Sequence, residues 1–242
     1  MSALMLKKST GIVLIPLLFI VFITSCSITD KYTKASSEKW NKDIVQFKQQ
    51  DKDEQDPDNA ILFTGSSSIR LWSTLKEDLA PYPVIQRGFG GSKFSDLAVY
   101  IKEIVYPHQF RALVIFEAND ITGNVDDKTP KEVARLFRYI VSTVRKKYPE
   151  KPVFVIEITP TKSRWAVWSK IKQTNKLLQR SCAKMDKTYF IETSASYLND
   201  QGEPRNELFI KDNLHQNREG YKIWGDLVHK KLDQILMSQS PQ

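Results

Sequence analysis

The sequence predicts an α/β protein: three layers, α/β/α, around a five-stranded parallel sheet. Two observations carry this. Five short runs, Ile61–Thr64, Val84–Ile85, Arg111–Phe116, Val153–Ile158 and Thr188–Ile191, have no polar/apolar alternation, as expected of strands covered on both faces. Between them lie stretches with apolar residues at helical spacing, so strands and helices alternate along the chain. The chain has 242 residues, enough for one such domain and an N-terminal appendage.

That appendage reads as a targeting segment. Lys7 and Lys8 precede an uncharged run from Ser9 to Thr29 whose apolar part, Gly11 to Thr24, is short for a spanning helix. It ends Ile23-Thr24-Ser25-Cys26, which resembles the bacterial lipoprotein signal. The resemblance implies a signal peptide over 1–25, lipid on Cys26, and an exported protein anchored in the cell envelope; a plain cleaved signal or an uncleaved anchor is the other reading. Residues 26–59 are expected to be a tether and an N-terminal helix. Within them 27–35 is the tether, Ser37–Gln50 the helix with Trp40, Ile44, Val45 and Phe47 on its apolar face, and Asp51–Asn59 an acidic loop containing Pro57.

The globular domain is expected over 60–237. Its first strand runs into Gly65-Ser66-Ser67-Ser68, followed by an apolar pattern at Ile69, Leu71, Trp72 and Leu75 that suits a helix. A serine here can cap that helix, or it can sit reactive above the sheet. Pro81 and Pro83 mark a loop before the second strand. That strand leads into Gly88-Phe89-Gly90-Gly91, a backbone free to approach a ligand closely. The stretch lacks the last glycine of a dinucleotide fingerprint; it is a tight turn or a donor of N–H groups to an oxyanion. Phe94, Leu97, Ile101 and Ile104 then form a helix face.

Glu117-Ala118-Asn119-Asp120 closes the third strand, and polar groups beyond the carboxyl end of a buried strand mark a site in doubly wound sheets. Val133–Tyr148 is an amphipathic helix. The fourth strand ends at Thr159-Pro160, before a loop with Ser163-Arg164-Trp165 and a helix marked by Trp168, Ile171, Leu177 and Leu178. After the fifth strand and a polar loop over 194–208 comes Asp212-Asn213-Leu214-His215. One turn of chain can bring that carboxylate to the imidazole, leaving the second ring nitrogen free as a base. His229 lies inside the closing helix with Tyr221, Trp224, Leu227, Val228 and Leu232 and reads as structural; His108 has no obvious partner in the sequence.

Composition narrows the classes. The 41% hydrophobic and 26% charged content is globular. The formal charge of +8 is scattered, without an aromatic-basic pattern, so nucleic acid is not expected as a partner. Two cysteines, Cys26 and Cys182, make no disulfide framework, and no histidine stands at ligand spacing, so a metal is not expected.

Four pieces thus stand in order: Gly-Ser-Ser after strand one, a glycine turn after strand two, an Asn after strand three, and Asp-x-x-His before the last helix. This set resembles the SGNH hydrolase superfamily, the GDSL-type esterases and lipases, over about residues 60–235. No Gly-x-Ser-x-Gly elbow is present, which disfavours the ordinary α/β-hydrolases. The resemblance implies a flavodoxin-like fold with Ser67 as nucleophile and His215 and Asp212 as base and orienting carboxylate. The oxyanion hole falls to the N–H groups of Ser67 and Gly91, with Gly90 the alternative, and to the Asn119 amide. Ser66 stands where the family has Asp, and Glu117 where it usually has Gly. Glu117 could oppose an oxyanion or pair harmlessly with Arg87 or Arg164.

The expected function is a serine esterase acting on a small acyl ester, acetyl on a carbohydrate foremost. The acyl transfer that the family resemblance implies needs no organic cofactor. Short connections leave little material for a lid, and Trp72 and Trp165 are available to stack on sugar rings. The alternatives are a phospholipid or lysophospholipid esterase akin to platelet-activating-factor acetylhydrolases, and a glycan-binding lipoprotein with a retired site.

Overall fold

A computed structural model of the chain describes residues 27–238. The targeting segment and Cys26 lie outside the described residues. Five parallel strands form one sheet in the order β2-β1-β3-β4-β5, with β1 Ile61–Gly65, β2 Val84–Gly88, β3 Ala112–Phe116, β4 Val153–Ile156 and β5 Thr188–Ile191. Every residue of β1, β3 and β4 is buried, which is why these runs are apolar throughout. Helices cover the sheet: α1 Asp30–Asp53, α4 Phe94–Val105, α5 Pro130–Lys147, α6 Trp168–Cys182 and α7 Arg218–Leu236. This is the three-layer α/β/α arrangement, and the strand order reverses between β1 and β3. A crevice opens at such a switch point, outside the carboxyl ends of the strands.

Several boundaries differ from the sequence reading, each for a physical reason. β2 continues through Gln86-Arg87-Gly88 because the whole of β1 pairs with it in register, Ile61 to Gly65 against Val84 to Gly88. The helix expected after Ser67 is two single turns, α2 Ser67–Arg70 and α3 Leu75–Asp78. The Gln86 amide donates to the carbonyls of Ile69 (2.6 Å) and Trp72 (3.2 Å), occupying acceptors that a continuous helix would use. α5 starts earlier than its apolar face implies: Pro130 takes the first position and the Thr129 hydroxyl accepts the Glu132 N–H at 3.2 Å.

The expected tether is largely helix. α1 begins at Asp30 and packs along α4 with Ser36, Trp40, Ile44 and Phe47 buried. Lys31 and Tyr32 both bond Glu132 in the first turn of α5, and Ser36 Oγ donates to Asp96 Oδ1 at 2.6 Å. At its other end Asp51 pairs with Arg87 (2.8 Å) and lies 3.3 Å from His108. His108, without an apparent partner in the sequence, is buried against Asp51 and Asp56 (2.8 Å). Trp72, expected to be available for stacking, is fully buried between Phe63, Tyr221 and Trp224. Trp165 is part-buried and stacked on Trp168, ring centroids 5.9 Å apart.

Candidate active site

The turn between β1 and α2 is built around Gly65. Its φ is +132°, and a β-carbon there would lie 1.9 Å from the Phe116 carbonyl oxygen; only glycine fits. The Ser66 N–H donates to that same oxygen at 2.9 Å, while the Phe89 N–H donates to the Gly65 carbonyl at 2.8 Å. The chain end of β1 is thereby pinned between its two neighbours, and the next residue, Ser67, opens α2. Ser66 offers no side-chain cap.

The Asp212–His215 segment is a folded turn between β5 and α7. Ile210 N–H donates to the His215 carbonyl at 2.9 Å, and Asn213 takes φ +54°. Asp212 Oδ1 accepts the N–H groups of Leu214 (2.9 Å) and His215 (3.0 Å), an Asx-type turn. Asp212 Oδ2 lies 2.6 Å from His215 Nδ1, and His215 Nε2 lies 2.8 Å from Ser67 Oγ. An ionised carboxylate only accepts, so Nδ1 carries the proton and Nε2 is left to accept from the serine. Partial burial raises the Asp212 pKa, but the bonds from the His215 ring and from two backbone N–H groups outweigh it and hold the carboxyl below its usual range. Residues far apart in sequence meet here because both lie above the carboxyl edge of the sheet.

Asn119 follows β3 and faces Ser67 across a narrow cleft of about 310 Å³, counted with its open mouth. The cleft is lined also by Thr159, Thr161, Arg164 and His215. Asn119 Nδ2 donates to the Ser92 carbonyl at 2.8 Å, and Arg164 Nη2 donates to Asn119 Oδ1. Gly91, with φ +83°, rests above the Trp40 ring of α1. Gly90 lies under the Arg70 guanidinium: a β-carbon there would come within 2.7 Å of its Nε. Among the described residues the N–H groups of Ser67, Gly90 and Gly91 make no hydrogen bond within the protein. They are free donors, the kind of group an oxyanion hole uses.

Glu117 pairs with neither Arg87 nor Arg164. Arg87 is taken by Asp51, and Arg164 by the Ala118 carbonyl (2.6 Å) and Asn119. The Glu117 carboxyl is buried and accepts from Ser92 Oγ at 2.9 Å. Burial, with the nearby charge of Asp120, pushes its pKa well above the ordinary carboxylate range. The shift favours the uncharged form; the carboxyl braces Ser92, whose carbonyl in turn holds Asn119. Asp120 accepts the Phe94 N–H at the start of α4 at 2.7 Å. Arg164 is the site residue that sequence reasoning missed. Nothing local in Ser163-Arg164-Trp165 marks it, and only the packing of its loop against β3 gives it a role. Among the described residues no group of three or more His, Cys, Asp or Glu side chains could hold a metal ion.

Comparison with known proteins bears on the family and the fold. The model of the GDSL-like lipase/acylhydrolase family matches residues 27–223. Among solved structures, a candidate platelet activating factor from Streptococcus pneumonia superposes with a TM-score of 0.69 at 19% identity, covering 82% of this chain and 95% of that one. A GDSL-like lipase from Bacteroides thetaiotaomicron gives 0.64 at 17% identity, covering 79% and 97%. A carbohydrate esterase family 3 protein from Talaromyces cellulolyticus gives 0.59 at 16% identity, covering 75% and 99%. At these identities the likeness is one of fold. No curated protein matches the sequence.

Proposed function

The chain belongs to the GDSL-like lipase/acylhydrolase family and is an ester hydrolase of the SGNH type, and we propose that it removes a small acyl group, acetyl foremost, from a carbohydrate. The observation that carries the mechanism is the line Ser67 Oγ–His215 Nε2–Asp212, with separations of 2.8 and 2.6 Å. Ser67 attacks the ester carbonyl as His215 takes its proton. Asp212 keeps the imidazole in the right tautomer and stabilises its charged form. The tetrahedral oxyanion is held by the N–H groups of Ser67 and Gly91 and by the Asn119 amide, each such donor lowering the barrier by about 3 kcal/mol. The protonated His215 hands its proton to the departing alcohol. Water then attacks the acyl-serine by the same route, releasing the acid and restoring Ser67.

Two features support a small acyl group. The cleft beside Ser67 is narrow, and Asn119, Thr159, Thr161 and Arg164 line it beside Phe116, Ala118 and Leu214, so polar groups as well as apolar ones would meet the acyl chain. Carbohydrate is favoured by the fold neighbours named for it, a family 3 carbohydrate esterase and an acetyl xylan esterase. Glu117 was the reason to consider a retired, glycan-binding site; burial, which raises the pKa of its carboxyl, weakens that reason. We further propose that the protein is exported and held at the membrane by lipid on Cys26, supported by Lys7-Lys8, the apolar run and Ile23-Thr24-Ser25-Cys26.

A panel of p-nitrophenyl esters from acetate to palmitate, beside acetylated xylan, tests the substrate. Acetate and acetyl xylan should be cleaved and palmitate not. Ser67→Ala should lower the acetate rate by at least about 10³-fold. Unchanged turnover in Ser67→Ala would remove the nucleophile assignment, and activity confined to long chains would remove the acetyl reading.

A further inference from the structure

We infer that Arg164 is a positioning residue that locks the polarity of the Asn119 amide, so that this side chain presents an N–H and never its oxygen to the oxyanion. The inference rests on the serine-esterase reading and adds to it a residue outside the resemblance.

The two ends of an asparagine amide have nearly the same shape, so sterics alone does not decide which faces a ligand. Here chemistry decides. A guanidinium only donates, and Arg164 Nη2 is bonded to Asn119 Oδ1. A backbone carbonyl only accepts, and the Ser92 carbonyl takes Asn119 Nδ2 at 2.8 Å. The two partners permit one orientation of the amide. It leaves the second N–H of Nδ2 unspent on a side chain that lines the cleft with Ser67 and His215. In the flipped amide a carbonyl lone pair would meet the developing negative charge.

The fork geometry of Arg164 also ties this lock to the backbone. Its Nη1 donates to the Ala118 carbonyl at 2.6 Å while Nη2 holds the neighbouring side chain. The residue is 8% exposed. Among the described residues it has no contacting carboxylate; Asp127 and Asp120 act on it only at a distance. A buried cation without a contact ion pair is costly, and a purely structural site would be served by an apolar side chain. Backbone bonds set its own loop: Arg164 N–H donates to the Thr161 carbonyl and Ser163 N–H to the Asn213 carbonyl, each at 3.2 Å. The second of these joins the Arg164 loop to the turn that carries Asp212 and His215.

The test is a double-mutant cycle on p-nitrophenyl acetate with Arg164→Met, Arg164→Lys, Asn119→Ala and the Arg164→Met/Asn119→Ala pair. Arg164→Met should lower kcat about 10–100-fold, within the loss expected for one oxyanion donor, and leave KM within about two-fold of wild type. Arg164→Lys keeps the charge but not the fork, and its kcat should also fall about ten-fold or more. In the Asn119→Ala background Arg164→Met should cost less than about two-fold more, since the group it positions is gone. Multiplicative losses in the pair, a change in KM alone, or wild-type kcat in Arg164→Lys would overturn the lock. Should Arg164→Met fail to fold, Arg164→Lys alone and with Asn119→Ala carries the same cycle. Wild-type protein with no Ser67-dependent hydrolysis would instead overturn the esterase reading itself.

Discussion

Glu117 and Arg164 stand on either side of Asn119 and carry opposite formal charges, yet they never touch. Ser92 Oγ holds Glu117, whose burial raises its pKa; Arg164 spends its donors on the amide and the Ala118 carbonyl. The two act through their neighbours, and the result is an Asn119 fixed at both ends. Glu117 has a measurable consequence for stability. Its folded pKa lies above the unfolded one, so the folded state keeps a proton that the unfolded state releases. Stability from this group is therefore full below about pH 4.5, the ordinary glutamate range, and is lost as pH rises toward the folded pKa. Glu117→Gln, neutral in both states, should match wild type in urea at pH 4 and exceed it at pH 7 by on the order of 1–3 kcal/mol. A wild-type advantage at pH 7 would show that the carboxyl is ionised in the folded protein.

At the scale of elements, the turn from β1 into α2 shows how tightly backbone geometry controls the nucleophile. Gly65 combines φ +132° with a carbonyl from β3 in the space a side chain would need. Gly65→Ala should therefore lose at least about 1–3 kcal/mol from backbone strain alone, read as a lower urea midpoint, and should lower kcat because Ser67 moves with the turn. The same turn marks the limit of the sequence. Gly65, the run Ile61–Thr64 and the pair Asp212/His215 were legible, since glycine at a strand end and a carboxylate three residues before a histidine are local signals. The breaking of the next helix into α2 and α3 was not: it depends on Gln86, on another strand, capturing two of its carbonyls. Trp72 was misread for a related reason. An aromatic beside a candidate site reads the same in sequence whether it faces solvent or, as here, fills the space between Phe63 and α7.

Over the whole molecule, α1 is part of the fold and not a leash. Its Trp40 ring meets Phe89 edge-on, centroids 5.5 Å apart, and underlies Gly91. Its first turn is bonded to α5 and its last to Arg87 and His108. The N-terminal helix thus supports the glycine turn from below. Among the described residues no helix is long and apolar enough to cross a membrane. If lipid on Cys26 is the anchor, Cys26→Ser in the full-length chain should move the protein from the membrane fraction to the soluble one. Retention in the membrane fraction would assign the anchor elsewhere.

By itself the sequence determined the layer class and the positions of five strands, because covered strands are written in neighbouring residues; Ser67, Gly91, Asn119, Asp212 and His215 were singled out through resemblance to a known family. Only the tertiary structure decided how those residues face one another, that Glu117 is buried with its pKa raised, and that Arg164 reaches Asn119. Those facts depend on which loop packs against which strand end. Burial and the choice of hydrogen-bond partner are set by groups that the chain brings together only when the sheet is formed.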